Sequence, residues 1–375
     1  MRRILVMAWC MAAVLLVGAC GSDEGSGGSG SSDPIQIGFI GDLTGPVAPY
    51  SKASLEGARI AVDEANQAGG VDGRKLELKV YDDKNNPIQT VNIAKRAAPG
   101  AAALIVASGS ANVLAAGPAI ERAQRPFIVT VSSNPAVTES GWKWVNRVHL
   151  SDADQVQAVL AYGIEEKGLK RIALIHDTSD LGRGGQKLIL DKLTDAGLKP
   201  VTDQSYAPET NDFSAQINAL RDASPDGVAF WGTLDAGARI VDQMHAVGMK
   251  NVQFMGGGGL VSNEFIELAG DAAQGTVAAW AYVDPDNPTL KEMSAKYKSA
   301  TQRDPDVFAA QSYDGARILV EALKQAGTDP EALQKAIRAT QYSGAVGDIT
   351  FDDKGQNQRT IHLGQVKDGE WELLK

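Results

Sequence analysis

The chain has 375 residues, with 46 acidic against 36 basic side chains, a formal net charge of −10, two cysteines and four histidines. An acidic chain without a basic tract is excluded as a nucleic-acid binder, because such binding needs clustered Lys and Arg to displace phosphate counterions. Both cysteines, Cys10 and Cys20, fall in the first twenty residues, so the body that follows has no cysteine nucleophile, no cysteine-based metal site and no intramolecular disulfide.

The chain opens with Arg2 and Arg3, an apolar run from Ile4 to Val17, and then Gly18-Ala19-Cys20. A basic start, a short apolar core and small residues before a cut describe a secretory leader over 1–19. Val17-Gly18-Ala19-Cys20 also resembles the lipobox of bacterial lipoproteins, which implies that Cys20 is acylated and becomes the new N-terminus. The alternatives are an ordinary leader with an incidental cysteine, or an uncleaved anchor helix; the apolar run is short for crossing about 30 Å of hydrocarbon. Loss of the leader removes Arg2 and Arg3 and no acid, leaving 34 basic against 46 acidic residues and a net charge of −12. Residues 20–34 are rich in Gly and Ser and read as a random-coil tether. Several acyl chains would hold it far more firmly than one, since each buried CH₂ contributes about 0.8 kcal/mol. The expected location is the outer face of a bacterial membrane, at the cell surface or in the periplasm.

The remaining roughly 340 residues exceed one compact core, so two domains are expected. Strand and helix signals alternate. Ile35–Ile40 reads as a buried strand, and Ser54–Ala68 as a helix stopped by Gly69-Gly70. The strand Lys75–Tyr81 runs into Asp82-Asp83. A helix over Ile88–Ala98 leads to the strand Ala102–Val106, and another helix precedes Phe127–Thr130. The pattern then restarts: strand Arg171–His176, helix Gly184–Ala196, strand Lys199–Tyr206, helix Phe213–Arg221, strand Gly227–Trp231, helix Ala236–Ala246 and strand Gln253–Met255. Two β-α-β-α-β-α-β runs offset by roughly 130 residues imply an α/β fold with parallel sheets and helices on both faces. Two such units present the carboxyl ends of their strands to a shared crevice, where open α/β sheets bind ligands. The tail reads as helices Pro288–Gln302, Ser312–Ala326 and Pro330–Ala339, then strands Val346–Phe351 and Ile361–Val366 around the turn at Asp352–Gly355.

Nothing in the chain demands catalysis. His149, His176, His245 and His362 have no ligand spacing, and Gly-x-Ser-x-Gly is absent, so no metal, no cofactor and no enzyme activity is expected. Asp82-Asp83 reads as a solvated turn, with a cation site as the alternative. Gly256–Gly259 lacks the Lys-Ser/Thr of a P-loop; it is either a capped strand-to-helix turn or a wall that lets backbone approach a ligand. Hydroxyl-rich loops recur after strands and before helices: Ser108-Gly109-Ser110-Ala111-Asn112 and Ser132-Ser133-Asn134-Pro135. Such a helix N-terminus either holds a ligand carboxylate on its unsatisfied N–H groups or merely receives a cap.

Several segments together resemble the branched-chain amino-acid-binding proteins of ABC importers. They are Gly45–Tyr50, Asn66–Gly73, Tyr81-Asp82-Asp83, Ser132–Pro135, Ile175-His176-Asp177, Gly182-Arg183-Gly184, Asp212-Phe213, Phe254-Met255-Gly256 and Phe351–Gly355. The resemblance implies a type I periplasmic-binding (Venus flytrap) fold of two Rossmann-like lobes. Lobe 1 is expected over 35–148 plus 281–345 and lobe 2 over 149–280 plus 346–375, with crossovers near Arg147–Ser151, Ala278–Tyr282 and Gly344–Ile349. By position, Ser110 with Gly109 takes the carboxylate, Ser133 stands for a threonine near the amino group, and Tyr50 matches a pocket tyrosine. The expected ligand-binding set also includes Ser108, Val131, Ser132 and Gly257. The second lobe departs from the family: two pocket tyrosines appear as Leu181 and Thr233, and the acid that pairs with the ligand's ammonium aligns with Gly258. A buried ammonium without a carboxylate is costly, so either Asp235 substitutes or the ligand is an amide or an aromatic or aliphatic acid. Trp231 reads as a strand-core tryptophan, with a stacking surface as the alternative.

The expected function is therefore that of a monomeric substrate-binding lipoprotein of an ABC importer, closing on a small carboxylate-bearing solute and passing it to permease subunits. A ligand-sensing module for a membrane receptor is the alternative.

Overall fold

The computed structural model describes residues 33–280 and 284–374. The leader, Cys20 and the tether before Asp33 lie outside the described residues, as do residues 281–283 of the expected second crossover.

The first half comprises β1 (Ile35–Gly41), α1 (Ala48–Gln67), β2 (Leu76–Asp82), α2 (Pro87–Ala97), β3 (Ala103–Ala107), α3 (Ser110–Ala123), β4 (Phe127–Val129), α4 (Ala136–Glu139) and β5 (Val145–Arg147). Its strands form one parallel sheet in the order β2-β1-β3-β4-β5. β3 is Ala-Leu-Ile-Val-Ala and buried throughout, as a central strand covered on both faces requires. Helix starts follow local chemistry. Asn86 caps α2 by accepting the Gln89 N–H, with Pro87 in the first turn. α1 starts before its apolar periodicity because Pro49 is preset for the first turn, and it ends where Gly69 and Gly70 take φ of 101° and 81°.

The chain continues through α5 (Asp152–Ala161), β6 (Ile172–Asp177), α6 (Asp180–Asp195), β7 (Asp203–Tyr206), α7 (Ser214–Ala223), β8 (Gly227–Trp231), α8 (Leu234–Ala246), β9 (Gln253–Gly256), α9 (Asn263–Ala269) and β10 (Val277–Trp280). Then come α10 (Pro288–Thr301), α11 (Val307–Ala326), α12 (Pro330–Arg338), β11 (Gln341–Gly344), β12 (Gly347–Thr350), β13 (His362–Lys367) and β14 (Glu370–Leu373). The second sheet has the order β14-β13-β10-β9-β8-β6-β7, parallel except for β13 and β14. Each sheet with its helices makes a lobe. No described helix is long and apolar enough to cross a membrane.

Helices α10 to α12 return to the first lobe. At Gly57 of α1 a Cβ would stand 2.1 Å from the Ala309 carbonyl oxygen, so only glycine admits α11 this closely. Glu64 of α1 then accepts from Tyr313 and Arg317 of α11 and from Lys296 of α10.

One expectation is corrected here. Gly344–Ile349 is not a passage between lobes but the turn of the β11–β12 hairpin, held to α11 by the Asp314 carboxylate, which accepts the Ala345 and Val346 N–H groups, both at 2.8 Å. The chain stays beside β5 through Asn357, since the Arg147 N–H donates to Gly355 and the Asn357 N–H donates to Arg147. The third passage therefore falls between Asn357 and His362. The polar strand Gln341-Tyr342-Ser343-Gly344 carries no apolar alternation, which hides the hairpin from pattern reading.

Candidate functional site

The carboxyl ends of both parallel sheets border one cavity of about 60 Å³. The first lobe contributes Val47 just before α1, Tyr50 of α1, Gly109 and Ser110 at the start of α3, Val131, Ser132 and Ser133 after β4, and Phe308 of α11. His149 follows β5. The second lobe contributes Asp152 and Gln155 of α5, Leu181 of α6, Trp231 and Gly232 at the end of β8, and Gly257 to Gly259 after β9.

One side of the cavity presents an open helix start and serine hydroxyls. α3 runs for 14 residues and is capped by Gly109, which has no side chain to occupy the first-turn N–H groups. The Ser132 hydroxyl donates to the Ser110 hydroxyl at 3.0 Å, and both side chains are buried. Ser108 serves a different purpose. Fully buried, it donates to the Asp83 carboxylate, which also receives Thr90 Oγ1 at 2.9 Å and Asn112 Nδ2 at 3.1 Å. This knot ties the start of α3 to α2. Asp83 is thus an internal anchor and not a solvated turn residue.

Beside the serines lies Asp152, which sequence reasoning missed. It is the first residue of α5, capped by Ser151, and only 2% exposed. Its N–H donates to the Ser133 carbonyl at 2.9 Å, and its carboxylate Oδ2 has no partner in the protein. Burial pushes this carboxyl up to about 6, against the opposing pull of the nearby Ser133 hydroxyl, the Arg147 charge and the Trp231 indole. Arg147 is itself spent elsewhere: its guanidinium donates to Gln356 Oε1 and the Asn134 carbonyl, both at 2.6 Å, and to Thr138 Oγ1. His149 adds no charge, because burial pushes it down to about 3 and leaves it neutral against Gln311. Ser151-Asp152-Ala153-Asp154 carries a helix-start signal in the sequence, but acids in a first turn are ordinarily solvated dipole partners. Nothing local distinguishes Asp152 from Asp180 at the start of α6.

The second lobe corrects two expectations. Asp235 lies on the exposed face of α8, where it pairs with Arg239 Nε at 3.0 Å and does not line the cavity. Thr233, the residue preceding α8, is half-buried and also off the lining; its neighbour Gly232 faces the cavity instead. Gly258 is more than a vacancy. Its N–H donates to Gln155 Oε1 at 2.6 Å, and a Cβ there would meet the Ala279 carbonyl oxygen at 2.8 Å. An acid does not fit at 258 in this backbone. Of the expected set, Tyr50, Gly109, Ser110, Val131, Ser132, Ser133, Leu181, Gly257 and Gly258 come together, while Ser108, Thr233 and Asp235 do not.

The lobes are closed on each other. The Tyr50 hydroxyl accepts the Leu234 N–H at 2.7 Å and donates to the Gly259 carbonyl at 3.3 Å, and Asn134 Nδ2 donates to the Asp180 carbonyl at 2.7 Å. First-lobe side chains thus grip second-lobe backbone on both flanks of the cavity. Among the described residues, no group of three or more His, Cys, Asp and Glu could hold a metal ion.

Two sheets thus converge on one cavity lined by serine hydroxyls, an open helix start and a buried carboxylate. Residues 34–370 match the model of the periplasmic binding protein family, and the chain belongs to that family. It is 31% identical to Leu/Ile/Val-binding protein homolog 1 of Brucella suis, over 95% of this chain and 93% of that protein. It is 28% identical to the leucine-, isoleucine-, valine-, threonine- and alanine-binding protein of Pseudomonas aeruginosa, over 87% of each. Among solved structures, the leucine-binding protein LivK of Thermotoga maritima superposes with a TM-score of 0.84 at 28% identity, covering 91% of this chain and 98% of that one. An ABC-transporter solute-binding protein of R. palustris, solved with benzoate, superposes with a TM-score of 0.83 at 20% identity, covering 91% and 95%, and shares the fold.

Proposed function

We propose that this chain is the substrate-binding lipoprotein of an ABC importer, that it traps a small α-amino acid between its lobes, and that it delivers this cargo to a membrane permease. The observation that carries the cargo assignment is the unpartnered, buried Oδ2 of Asp152 on the cavity wall. A buried carboxylate oxygen without a donor is costly, and a ligand ammonium supplies the missing donor. Ser132, whose hydroxyl bonds to Ser110, and Ser133, whose carbonyl accepts the Asp152 N–H at 2.9 Å, are successive residues with Cα atoms about 3.8 Å apart. The carboxylate and ammonium subsites are therefore adjacent, as the two groups are on one α-carbon. The apolar walls, Val47, Val131, Leu181, Trp231 and Phe308, suit an aliphatic side chain. The amino acids for which the relatives are named support such a cargo.

Ligand held by both lobes shifts the open–closed population toward the closed form that a permease reads. Acylation of Cys20 would keep the trap beside that permease.

Calorimetry with leucine, valine and alanine against their des-amino carboxylic acids tests the cargo. Asp152→Asn should weaken amino-acid binding about thirtyfold or more, as expected when one partner of a buried charge pair is removed. It should leave the weak binding of des-amino acids unchanged. Amino-acid affinity insensitive to Asp152→Asn, or tighter binding of benzoate than of any amino acid, overturns the reading.

A further inference from the structure

Helix α6 carries three glycines in its first half, Gly182, Gly184 and Gly185. Two are explained inside the second lobe. A Cβ at Gly182 would meet the Asp177 carbonyl oxygen at 2.0 Å, and one at Gly185 would meet Trp231 Cδ1 at 2.0 Å. Gly184 is different. The three atoms nearest to a Cβ there all belong to Asn134 of the first lobe, with Nδ2 at 2.5 Å and Cγ at 3.3 Å. A glycine inside a helix destabilises it relative to alanine. The close contact that calls for glycine at 184 therefore comes from the other lobe.

Asn134 is set for this contact by its own lobe. Its Oδ1 accepts the Ala136 N–H at 2.9 Å and its carbonyl accepts the Arg147 guanidinium at 2.6 Å. Nδ2 is left to donate to the Asp180 carbonyl of the second lobe at 2.7 Å. Asp180 and Gly184 are one helical turn apart, so the amide lies flat against one face of α6. Neither Asn134 nor Gly184 borders the cavity. We propose that Asn134 and Gly184 form a clasp between the lobes that sets the affinity for any cargo without touching it, by favouring the closed form. The observed affinity scales with the share of protein able to close. A methyl group at 184 displaces the amide from α6 and leaves the open form intact. The clasp rests on the trapping of a solute proposed above, whether that solute is an amino acid or another carboxylate.

Gly184→Ala should weaken leucine, valine and alanine binding by one common factor of about fivefold, as loss of a single hydrogen bond predicts. In stopped-flow tryptophan fluorescence the loss should fall on the dissociation rate and leave association unchanged, because the clasp forms after the cargo has entered. The ligand-free melting temperature should hold or rise, since alanine favours the helix. Asn134→Ser keeps a short acceptor for the Ala136 N–H but is too short to reach Asp180, and it should show the same common loss. On that background Gly184→Ala should cost no further affinity, since both changes remove one contact. Unchanged affinity, losses that differ between cargoes by more than about threefold, a change confined to association, or additive losses in the double variant overturn the clasp. If Gly184→Ala fails to fold, Asn134→Ser decides by affinity, cargo dependence and dissociation rate. If the wild type binds benzoate but no amino acid, the amino-acid reading fails, and the clasp stands or falls on the same rates measured with benzoate. If the wild type binds leucine and both variants bind it equally well, only the clasp fails. A wild type that binds none of these solutes overturns both.

Discussion

A carboxyl group 2% exposed, with one oxygen unpartnered, destabilises the ligand-free protein that carries it. Asp152 titrates near 6 when folded, against 3.8 for the free group. Below 3.8 it is protonated in both states and imposes no penalty. Between those values the unfolded chain ionises first, so stability declines as pH rises, and above about 6 the whole penalty is present. At 1.36 kcal/mol per unit this amounts to about 1–3 kcal/mol. Asp152→Asn should therefore raise the ligand-free melting temperature by a few degrees at pH 7.5, with the gain vanishing near pH 4, as read by scanning calorimetry at both pH values. An unchanged or lowered melting temperature at pH 7.5 contradicts this account. Residues of this kind are illegible in a sequence. Ser110 and Ser133 are found by a local rule, a hydroxyl between strand and helix, whereas Asp152 becomes a site only because Trp231 and the second lobe strip its water.

At the scale of elements, α3 is the decisive piece. Its start is left open by Gly109 and is held in place from below by Asp83, through Ser108 and Asn112. A carboxylate at this end meets the helix N-terminus and the Ser110 hydroxyl together. Ser110→Ala should weaken leucine binding by about tenfold or more in calorimetry, since a hydrogen bond to a charged group contributes about 1.5–3 kcal/mol. Unchanged affinity would remove Ser110 from the site. Most strands and helices were legible because each carries its own pattern. β8 falls at Gly227–Trp231 as the apolar run predicts. α6 and α11 begin earlier than their apolar faces, at Asp180 and Val307, because Ser179 and Asp306 accept first-turn N–H groups before the periodicity is established. α5 went unread although Val156, Val159 and Leu160 follow helical spacing; all three are buried against the second lobe's sheet.

For the whole molecule, closure is a matter of side chains from one lobe binding the backbone of the other. Tyr50 and Asn134 do so at opposite flanks, and neither bond depends on the identity of the ligand. Acylation at Cys20, as proposed, would keep the two lobes beside the proposed permease. Cys20→Ser should move the protein from the membrane fraction to the soluble exported fraction, leaving leucine affinity unchanged. Persistence in washed membranes would refute acylation at Cys20.

By itself the sequence determined the alternation of strand and helix, the two-lobed class of fold, and the serine loop that leads into α3. These are local properties, written in periodicity and turn chemistry within a few residues of where they act. Only the tertiary structure decided which acid faces the cavity. Asp235, two residues after Thr233 in sequence, is exposed and pairs with Arg239 one helical turn on, and Gly258 has no room for a side chain. Asp152 arrives from α5, whose helix-start signal does not reveal its burial. Charge at a binding site is set by burial and by the donors that converge on it, and both are properties of chain segments far apart in sequence.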